Sequence, residues 1–384
     1  MALPRIADIV IIGGGVMGTS AVYHLARRGA RNVLLLEREP FLGTGATGRC
    51  AGGVRYQFGT EINVRLSIES LRMLERFHDE LGQEINYRKL GYLFILTNSR
   101  DVDSFRHNAE MQNRLGVHTQ WLSGDEVRHR LPSMHFPDAL AGTFHPEDGL
   151  VDPNSVVAGY AAAAQRLGAR IVTGAEVIGL GLRGGTIQSV ETSLGTIEAG
   201  MVLNAAGPWA AQVADFAGLA LPILPVRRQW FTTTPLRELP PDFPFVIDFA
   251  QSLYFHREGE GLLVGMSNQN EVPGYDQSVD EEFELVNAEA AIARLPLLEH
   301  AGRASHGAGL YEVTPDAHPI FGATPVDGLF VVGGFSGHGF MHGPIAGKLM
   351  AERMLDGKFQ SVDVSMLDLA RFEQHRLIQE YNVV

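Results

Sequence analysis

Residues 8–18 read DIVIIGGGVMG, a short apolar run that ends in closely spaced glycines. The apolar run predicts a buried parallel strand, and the residues after Gly18 predict a helix that ends near Gly29. A second apolar run over residues 32–36 is followed by Glu37, 19 residues after Gly18. This order of strand, glycine turn, helix, strand and acid is typical of a dinucleotide-binding βαβ unit.

Each glycine of the turn has its own expected role. Gly13 permits the tight turn, Gly15 lets the backbone approach a pyrophosphate, and Gly18 lets the helix pack on the strand. The N-terminus of that helix would face the phosphates. Glu37 should accept hydrogen bonds from ribose hydroxyls, which disfavours a 2′-phosphate there. At this point FAD and NAD both fit.

The composition excludes several classes of protein. The chain has 384 residues, of which 45% are hydrophobic and 20% charged, as in a globular protein of one large or two smaller domains. Its net charge of −13 repels phosphate backbones, so we expect no nucleic-acid partner. The single cysteine, Cys50, excludes an internal disulfide, and the apolar run near the N-terminus is too short to span a membrane. We therefore expect a cytoplasmic protein without an integral membrane segment.

The stretch over residues 43–55 favours FAD over NAD. It is rich in glycine and small hydroxyl residues and follows the second strand closely. Bare backbone at this place suits a cofactor that extends beyond the pyrophosphate to a flat isoalloxazine ring. The alternative interpretation is a flexible surface loop.

Two distant segments show the same pattern of strand and glycine turn, over residues 201–209 and 329–344. In an open parallel sheet, turns at the carboxyl ends of strands border a common ligand. Pro344 is predicted to be the first residue of a helix that ends near Gly357. The N-terminus of this helix would stabilise the anion that forms at the pyrimidine edge of a reduced flavin.

The chain resembles the family of FAD-dependent glycine and D-amino-acid oxidases. In pattern it is most similar to sarcosine oxidase β subunits, glycine oxidases and L-proline dehydrogenase β subunits. The resemblance runs from about residue 7 to about residue 354, and its motifs lie at residues 11–18, 45–55, 204–209, 309–316 and 334–344.

The resemblance implies an α/β fold of the glutathione-reductase type. A Rossmann-like FAD-binding domain would carry an inserted α+β substrate domain with an antiparallel sheet. We assign residues 1–85, 142–222 and 311–384 to the FAD-binding domain and residues 86–141 and 223–310 to the substrate domain.

The resemblance also implies a set of residues that bind FAD. They are Gly13, Gly15, Val16, Met17, Gly18, Glu37, Arg38, Thr44, Thr47, Gly48, Arg49, Cys50, Ala51, Gly52, Val177, Ala205, Ala206, Gly207, Trp209, Gly309, Gly334, Gly337, His338, Gly339, Phe340 and Met341. Some sarcosine oxidases tether flavin through a cysteine where this chain has Gly309, so we expect noncovalent FAD. Cys50 could also tether it, although a small buried side chain is the simpler interpretation.

Four residues are catalytic candidates. Arg55 lies where the family places an arginine that binds the substrate carboxylate, and a guanidinium binds a carboxylate bidentately. Tyr254 and His338 inherit the family's tyrosine and histidine near the flavin ring. Met341 lies where related oxidases carry a lysine for their reaction with oxygen. His338 and His342 have helical spacing, but we expect no metal site there.

The implied activity is oxidation of the C–N bond of a small amino acid such as sarcosine, proline, glycine or a D-amino acid. Hydride transfer to flavin N5 would give an imine that hydrolyses. Three alternatives stay open at this stage: an FAD-bearing β subunit of a hetero-oligomeric dehydrogenase with an acceptor other than oxygen, a flavin subunit without turnover, and an NAD-dependent dehydrogenase. The expected partners are the amino-acid substrate and either another subunit or a second copy of the chain.

Overall fold

The computed structural model describes residues 3–383, which form two large sheets and the helices around them. The strands are β1 (Ile6–Ile12), β2 (Val33–Leu36), β3 (Gly53–Val54), β4 (Tyr92–Leu96), β5 (Gln120–Ser123), β6 (Ala141–His145), β7 (Gly149–Leu150), β8 (Arg170–Val172), β9 (Val177–Arg183), β10 (Thr186–Thr192), β11 (Gly195–Asn204), β12 (Leu224–Thr233), β13 (Phe245–Asp248), β14 (Leu253–Glu258), β15 (Gly261–Met266), β16 (Arg303–Val313), β17 (Ile320–Ala323) and β18 (Leu329–Gly333). The α-helices are α1 (Val16–Arg27), α2 (Glu61–Glu75), α3 (Phe77–Leu81), α4 (Ser99–Arg114), α5 (Gly124–Arg130), α6 (Pro153–Arg166), α7 (Ala210–Asp215), α8 (Glu281–Arg294), α9 (Gly339–Asp356) and α10 (Ala370–Glu373). None of the helices in this part of the chain is long and apolar enough to cross a membrane.

The first sheet has the order β17-β18-β11-β1-β2-β8, with β9 and β10 attached to β11. Its central strands are parallel, and Ile12 at the end of β1 is in register with Leu36 of β2 and Asn204 of β11. Their carboxyl ends therefore lie side by side, which places the turns that follow these strands at one edge of the sheet. The predicted βαβ unit is confirmed as β1, α1 and β2.

The second sheet has the order β16-β12-β15-β14-β13-β4-β6-β5. Its pairings are antiparallel except for that of β13 with β4. The predicted α/β fold with an antiparallel-rich second sheet is thus confirmed. All strands of the first sheet lie within the segments assigned to FAD binding, while β6 and β16 span the expected boundaries at residues 142 and 311. The division into two domains itself stays a prediction.

Helices α1 and α9 pack closely because small residues line their contact. A Cβ on Gly347 would overlap the Ser20 side chain, and a Cβ on Gly343 would overlap Val16. The hydroxyl of Ser20 donates a 2.9 Å hydrogen bond to the carbonyl oxygen of Pro344. This contact places the N-termini of both helices near the carboxyl ends of the parallel strands.

The predicted start of α9 at Pro344 is wrong, because the helix begins five residues earlier, at Gly339. Glycines in this segment suggested a turn, but only Gly334 and Gly337 have the positive φ angles of a turn, at 80° and 98°. Gly339 and Gly343 are helical. At Gly343 the missing side chain serves the contact with α1 rather than a turn.

A fully buried ion pair attaches the C-terminal segment to the end of β16. Arg371 Nε donates to Asp316 Oδ2 at 2.8 Å and Nη2 donates to Oδ1 at 3.0 Å. Arg371 also donates to the carbonyl oxygens of Leu367 and His318 at 2.9 Å each. Because both charges are 0% exposed, each depends on the other for its hydrogen bonds.

We predict that Arg371→Met lowers the free energy of unfolding by about 3 to 5 kcal/mol, since it leaves the Asp316 carboxylate buried without its partner. The matched control is Arg376→Met, which breaks the more exposed pair with Asp368 and should cost less than about 1 kcal/mol. Urea unfolding of the three proteins measures both values. Equal losses in the two variants would show that the buried ion pair contributes no more than the exposed one.

Candidate active site

Two connected cavities lie where the two sheets meet. The first has an empty volume of about 1340 Å³ at the carboxyl edge of the parallel strands, and the second one of about 850 Å³ against the antiparallel sheet; both volumes include space open to solvent. Both are lined by Ala46, Cys50, Leu310, Tyr311, Gly337 and Phe340. One elongated ligand can therefore reach from the first cavity into the second.

The turn after β1 leaves a helix N-terminus open to the first cavity. Gly13 has a φ of 112°, and a Cβ there would overlap the Ala205 carbonyl oxygen, so glycine is required. Helix α1 begins after Gly15 without a side-chain cap and without an acid in its first turn. Val16 N donates to Thr47 Oγ1 at 3.2 Å. The partial positive charge of this N-terminus therefore favours an anionic ligand group.

Glu37 is fixed at the carboxyl end of β2 by backbone donors. Its Oε2 accepts from Gly14 N at 2.6 Å, and its Oε1 accepts from Glu39 N at 2.8 Å. Each carboxylate oxygen keeps a further lone pair for a ligand hydroxyl. The position is that of the predicted ribose acceptor, and the role stays a prediction.

One wall of the first cavity is flat. The Arg38 guanidinium stacks on the Trp209 ring, with 3.8 Å from its central carbon to the ring centroid. Val177, at the start of β9, lines the same cavity, as do Ala206 and Gly207 from the turn after β11. A planar aromatic group would fit between the stacked pair and the apolar side chains.

Glu312 is a buried acid that lines the first cavity near the start of α9. Its Oε1 accepts from Phe335 N at 3.4 Å, whereas Oε2 has no hydrogen-bond partner in the described part of the chain. Burial raises the pKa of Glu312 from 4.5 to about 7. The carboxyl is therefore partly protonated near neutral pH.

Arg55 lines the second cavity as a buried cation. It is 6% exposed, and among residues 3–383 no acid forms an ion pair with it. Its Nη1 donates to the Gln57 carbonyl oxygen and its Nη2 to that of Asn382, while its central carbon lies 3.9 Å from the Phe58 ring centroid. Burial lowers the pKa of the guanidinium. An anionic ligand would offset the cost of this buried charge.

The segment that supplies the Asn382 carbonyl is held by Glu380. The Glu380 carboxylate accepts hydrogen bonds from the backbone N–H groups of Gly59 and Thr60 at 2.8 and 3.1 Å. It also accepts from Thr60 Oγ1 at 2.8 Å and from Asn63 Nδ2 at 2.9 Å. These contacts fix the C-terminal segment beside Arg55 and thereby fix the orientation of the guanidinium.

His338 presents two unsatisfied ring nitrogens at the second cavity. It is 1% exposed, and neither Nδ1 nor Nε2 has a hydrogen-bond partner within residues 3–383. Burial lowers its pKa well below 6.5, so the ring is neutral. A neutral imidazole has one donor and one acceptor, and a ligand can satisfy either.

Tyr254 and Met341 line the same cavity as Arg55 and His338. The Tyr254 ring lies directly over Gly265, where a Cβ would overlap it. Burial raises the pKa of the Tyr254 phenol, so the hydroxyl stays protonated and can donate a hydrogen bond. The structure thus brings together the four residues predicted to be catalytic.

Cys50 lies at the junction of the two cavities. Burial raises the pKa of its thiol from 9.0 to about 11. A covalent tether to flavin needs the thiolate, and this environment disfavours it. Across residues 3–383, no group of three or more His, Cys, Asp or Glu side chains is arranged to hold a metal ion.

Most residues predicted to bind FAD line one of the cavities. The exceptions are Gly18, Thr44, Gly48 and Gly334, which line neither cavity. Gly18 lies against the Gly13 carbonyl, and Gly48 against the Gly43 carbonyl, so both permit close backbone approach behind the wall. Gly334 has a positive φ, and Thr44 Oγ1 donates to the Phe41 carbonyl oxygen at 3.2 Å.

Sequence reasoning missed several lining residues, namely Tyr92, Arg228, Phe245, Tyr311 and Glu312. Three of them come from the interior of the antiparallel sheet, whose register the sequence does not specify. Tyr311 and Glu312 belong to a motif that carried the resemblance. Glu312 could have been found from the sequence, because it is an acidic residue within a strand that leads to the predicted site.

We predict that Glu312 makes stability depend on pH. Between pH 4.5 and about 7 the unfolded chain releases the Glu312 proton while the folded chain keeps it, so this contribution to stability falls as pH rises. Glu312→Gln removes the effect, and the stability of the variant relative to wild type should rise by up to about 3 kcal/mol from about pH 4 to about pH 8. Urea unfolding across this range measures the difference. Parallel pH profiles would contradict the assignment.

Comparisons with known proteins give relatives along nearly the whole chain. Mouse (Mus musculus) mitochondrial dimethylglycine dehydrogenase is 30% identical over 387 residues, which cover 95% of this chain and 44% of that protein. Human (Homo sapiens) mitochondrial sarcosine dehydrogenase is 30% identical over 390 residues, covering 96% of this chain and 42% of that protein. The chain thus spans less than half the length of these relatives.

A solved structure matches over almost its full length. The crystal structure of L-proline dehydrogenase from P. horikoshii superposes with a TM-score of 0.90 and 32% identity, covering 98% of this chain and 100% of that chain. The family model described as FAD dependent oxidoreductase (DAO) matches residues 8–353. With the dinucleotide cavity at the carboxyl edge of the parallel sheet, these matches establish that the chain belongs to the DAO family of FAD-dependent oxidoreductases.

Proposed function

We propose that this protein oxidises the C–N bond of a small amino acid of the sarcosine, proline, glycine or D-amino-acid type, giving an imine that hydrolyses. The observation that carries the proposal is Arg55, a buried cation without an ion pair in the described chain, beside the unsatisfied nitrogens of His338. Both residues line a cavity that continues into the dinucleotide site.

The residues present fit FAD. The uncapped N-terminus of α1 suits a pyrophosphate, and the carboxylate of Glu37 suits ribose hydroxyls. Residues 337–341 would lie against the flavin ring, where His338 has unsatisfied nitrogens. When bound, FAD supplies the acceptor for the hydride that leaves the substrate. We assign this cofactor to the discontinuous domain of residues 1–85, 142–222 and 311–384.

Arg55 would hold the substrate carboxylate. Two of its five N–H groups donate to the carbonyl oxygens of Gln57 and Asn382, which leaves donors for a carboxylate. A charge-assisted pair of this kind positions the substrate as well as binding it. Fixed orientation of the C–N bond supplies much of the rate without a strong general base.

The second cavity favours a neutral amine. None of its lining residues is an aspartate or glutamate, and Arg55 supplies a positive charge nearby. A positive charge lowers the pKa of a bound ammonium, and partial desolvation acts in the same direction. The neutral amine has the lone pair that drives hydride loss from the neighbouring carbon, and the neutral His338 ring can accept a hydrogen bond from it.

A second candidate is the FAD-bearing subunit of a dehydrogenase that transfers electrons to an acceptor other than oxygen. It is favoured by Met341, which lines the second cavity where resembling oxidases have a lysine. The relatives named dimethylglycine dehydrogenase and sarcosine dehydrogenase also favour a dehydrogenase over an oxidase. A partner subunit or a second copy of this chain would then complete the electron path.

The function is tested by anaerobic mixing of the purified protein with sarcosine, L-proline, glycine and D-alanine. We predict that at least one of these amino acids bleaches the flavin absorbance of the wild-type protein. At low substrate concentration the Arg55→Met variant should not show this bleaching. The KM for the amino acid should rise about tenfold to a hundredfold in the variant, far more than the KM for an uncharged amine.

The control for this experiment is Arg257→Met. Arg257 also donates to backbone carbonyl oxygens, those of Leu236 and Glu260, but lines neither cavity, so its loss should leave both KM values unchanged. Admission of oxygen after bleaching then separates an oxidase, whose colour returns, from the dehydrogenase candidate. If no amino acid bleaches the flavin, the proposed oxidation of an amino acid is contradicted. If KM rises equally for the amino acid and for the uncharged amine, the role of Arg55 in binding the carboxylate is contradicted.

A further inference from the structure

The arginines that line the second cavity have no acid among the other lining residues, although the chain has a net charge of −13. The lining includes Arg49, Arg55 and Arg228, and no aspartate or glutamate. One guanidinium suffices to hold the carboxylate of an amino acid, so the other two charges need an explanation. Arg49 is exposed and donates to the Ala308 carbonyl oxygen at 3.0 Å. Arg228 is mostly buried and has no role in the mechanism above.

Two neighbouring arginines on β12 differ in their partners. Arg227 forms ion pairs with Glu271 and Asp276 at 3.1 Å each and lies 3.8 Å from Asp280. Successive residues of a strand point to opposite faces, so Arg228 lines the cavity on the face opposite to Arg227. Of the three acids around Arg227, Glu271 is still near enough to interact with the Arg228 charge. In the described residues Arg228 forms no ion pair, and its buried Nε has no hydrogen-bond partner.

The surroundings of Arg228 leave room for a ligand. On β16 it is in register with Gly309, above which Arg49 packs, since a Cβ on Gly309 would lie 2.9 Å from the Arg49 Cβ. On the other side the pairing of β12 with β15 begins only at Gln229, so no β15 residue is paired with Arg228. Its Nη1 donates to the Arg227 carbonyl oxygen at 2.9 Å, which leaves most of its N–H groups for other acceptors. The Tyr311 ring lies 5.3 Å from the Arg228 central carbon and near enough to Arg55 to interact with both charges.

We propose that the substrate carries a second anionic group, which Arg228 binds while Arg55 binds the first carboxylate. The substrate class is then an amino acid or N-alkyl amino acid with a second carboxylate, and the inference rests on the proposed function. A second guanidinium that is mostly buried and forms no ion pair in the described residues is costly, and a substrate carboxylate offsets that cost through charge-assisted hydrogen bonds. The arginines of the cavity also attract a doubly charged anion more strongly than a singly charged one.

A binding experiment on the FAD-loaded protein tests the proposal without turnover. Malonate, succinate and glutarate are titrated beside the matched monocarboxylates propionate, butyrate and valerate, and binding is followed by the perturbation of the flavin absorbance. We expect at least one dicarboxylate to bind about tenfold to a hundredfold more tightly than its monocarboxylate. Arg228→Gln should reduce this ratio to about one while the monocarboxylate affinity changes little, and Arg228→Lys should keep part of the ratio.

The matched control is Arg227→Gln, which removes a charge from the same strand but outside the cavity and should keep the wild-type ratio. The proposal is overturned if no dicarboxylate exceeds its monocarboxylate, or if Arg228→Gln weakens both classes equally, as expected when both arginines hold a single carboxylate. Anaerobic reduction of the flavin by N-methylaspartate and by sarcosine distinguishes failure of this proposal from failure of the proposed function. Reduction by sarcosine with no dicarboxylate preference leaves the proposed function standing, whereas dicarboxylate binding without reduction by any amine leaves only the binding site.

Discussion

The structure depends on the parallel register of β1 with β2 and β11. Because Ile12 lies opposite Leu36 and Asn204, the turns that follow these strands meet at one edge. The close packing of α1 on α9 through Ser20 and Gly347 then brings a second helix N-terminus to the same edge. Two positive helix ends, a carboxylate on β2 and bare glycine backbone form the dinucleotide cavity as a direct consequence.

The second cavity shows how the fold tolerates an unpaired buried cation. Arg55 receives no carboxylate from the described chain, but two backbone carbonyl oxygens and the face of Phe58 stabilise its guanidinium. Glu380 keeps the segment that supplies one of these carbonyls in place. The protein therefore holds the charge ready for an anion, at a cost to stability that an anionic ligand would reduce.

The features that the sequence predicts correctly are those that depend on local patterns of residues. The turn from Gly13 to Gly18 and the acid at Glu37 depend on residues close in the chain, so spacing and residue type were sufficient. The start of α9 was mispredicted because Gly343 is required by a contact with Val16, more than 300 residues away in sequence. Arg228 was missed because only the register of β12 with β16 shows which of two adjacent arginines enters the cavity.

We infer that the edge formed by the parallel strands holds FAD, with its flat ring reaching the cavity that contains Arg55. A crystal structure of the protein with its natural cofactor tests this most directly. We expect the pyrophosphate at the start of α1, ribose hydroxyls at Glu37, and the isoalloxazine between residues 46–50 and 337–341. A nicotinamide cofactor in that position would contradict this inference. So would an empty cavity in a protein that binds its adenine-linked cofactor at another place.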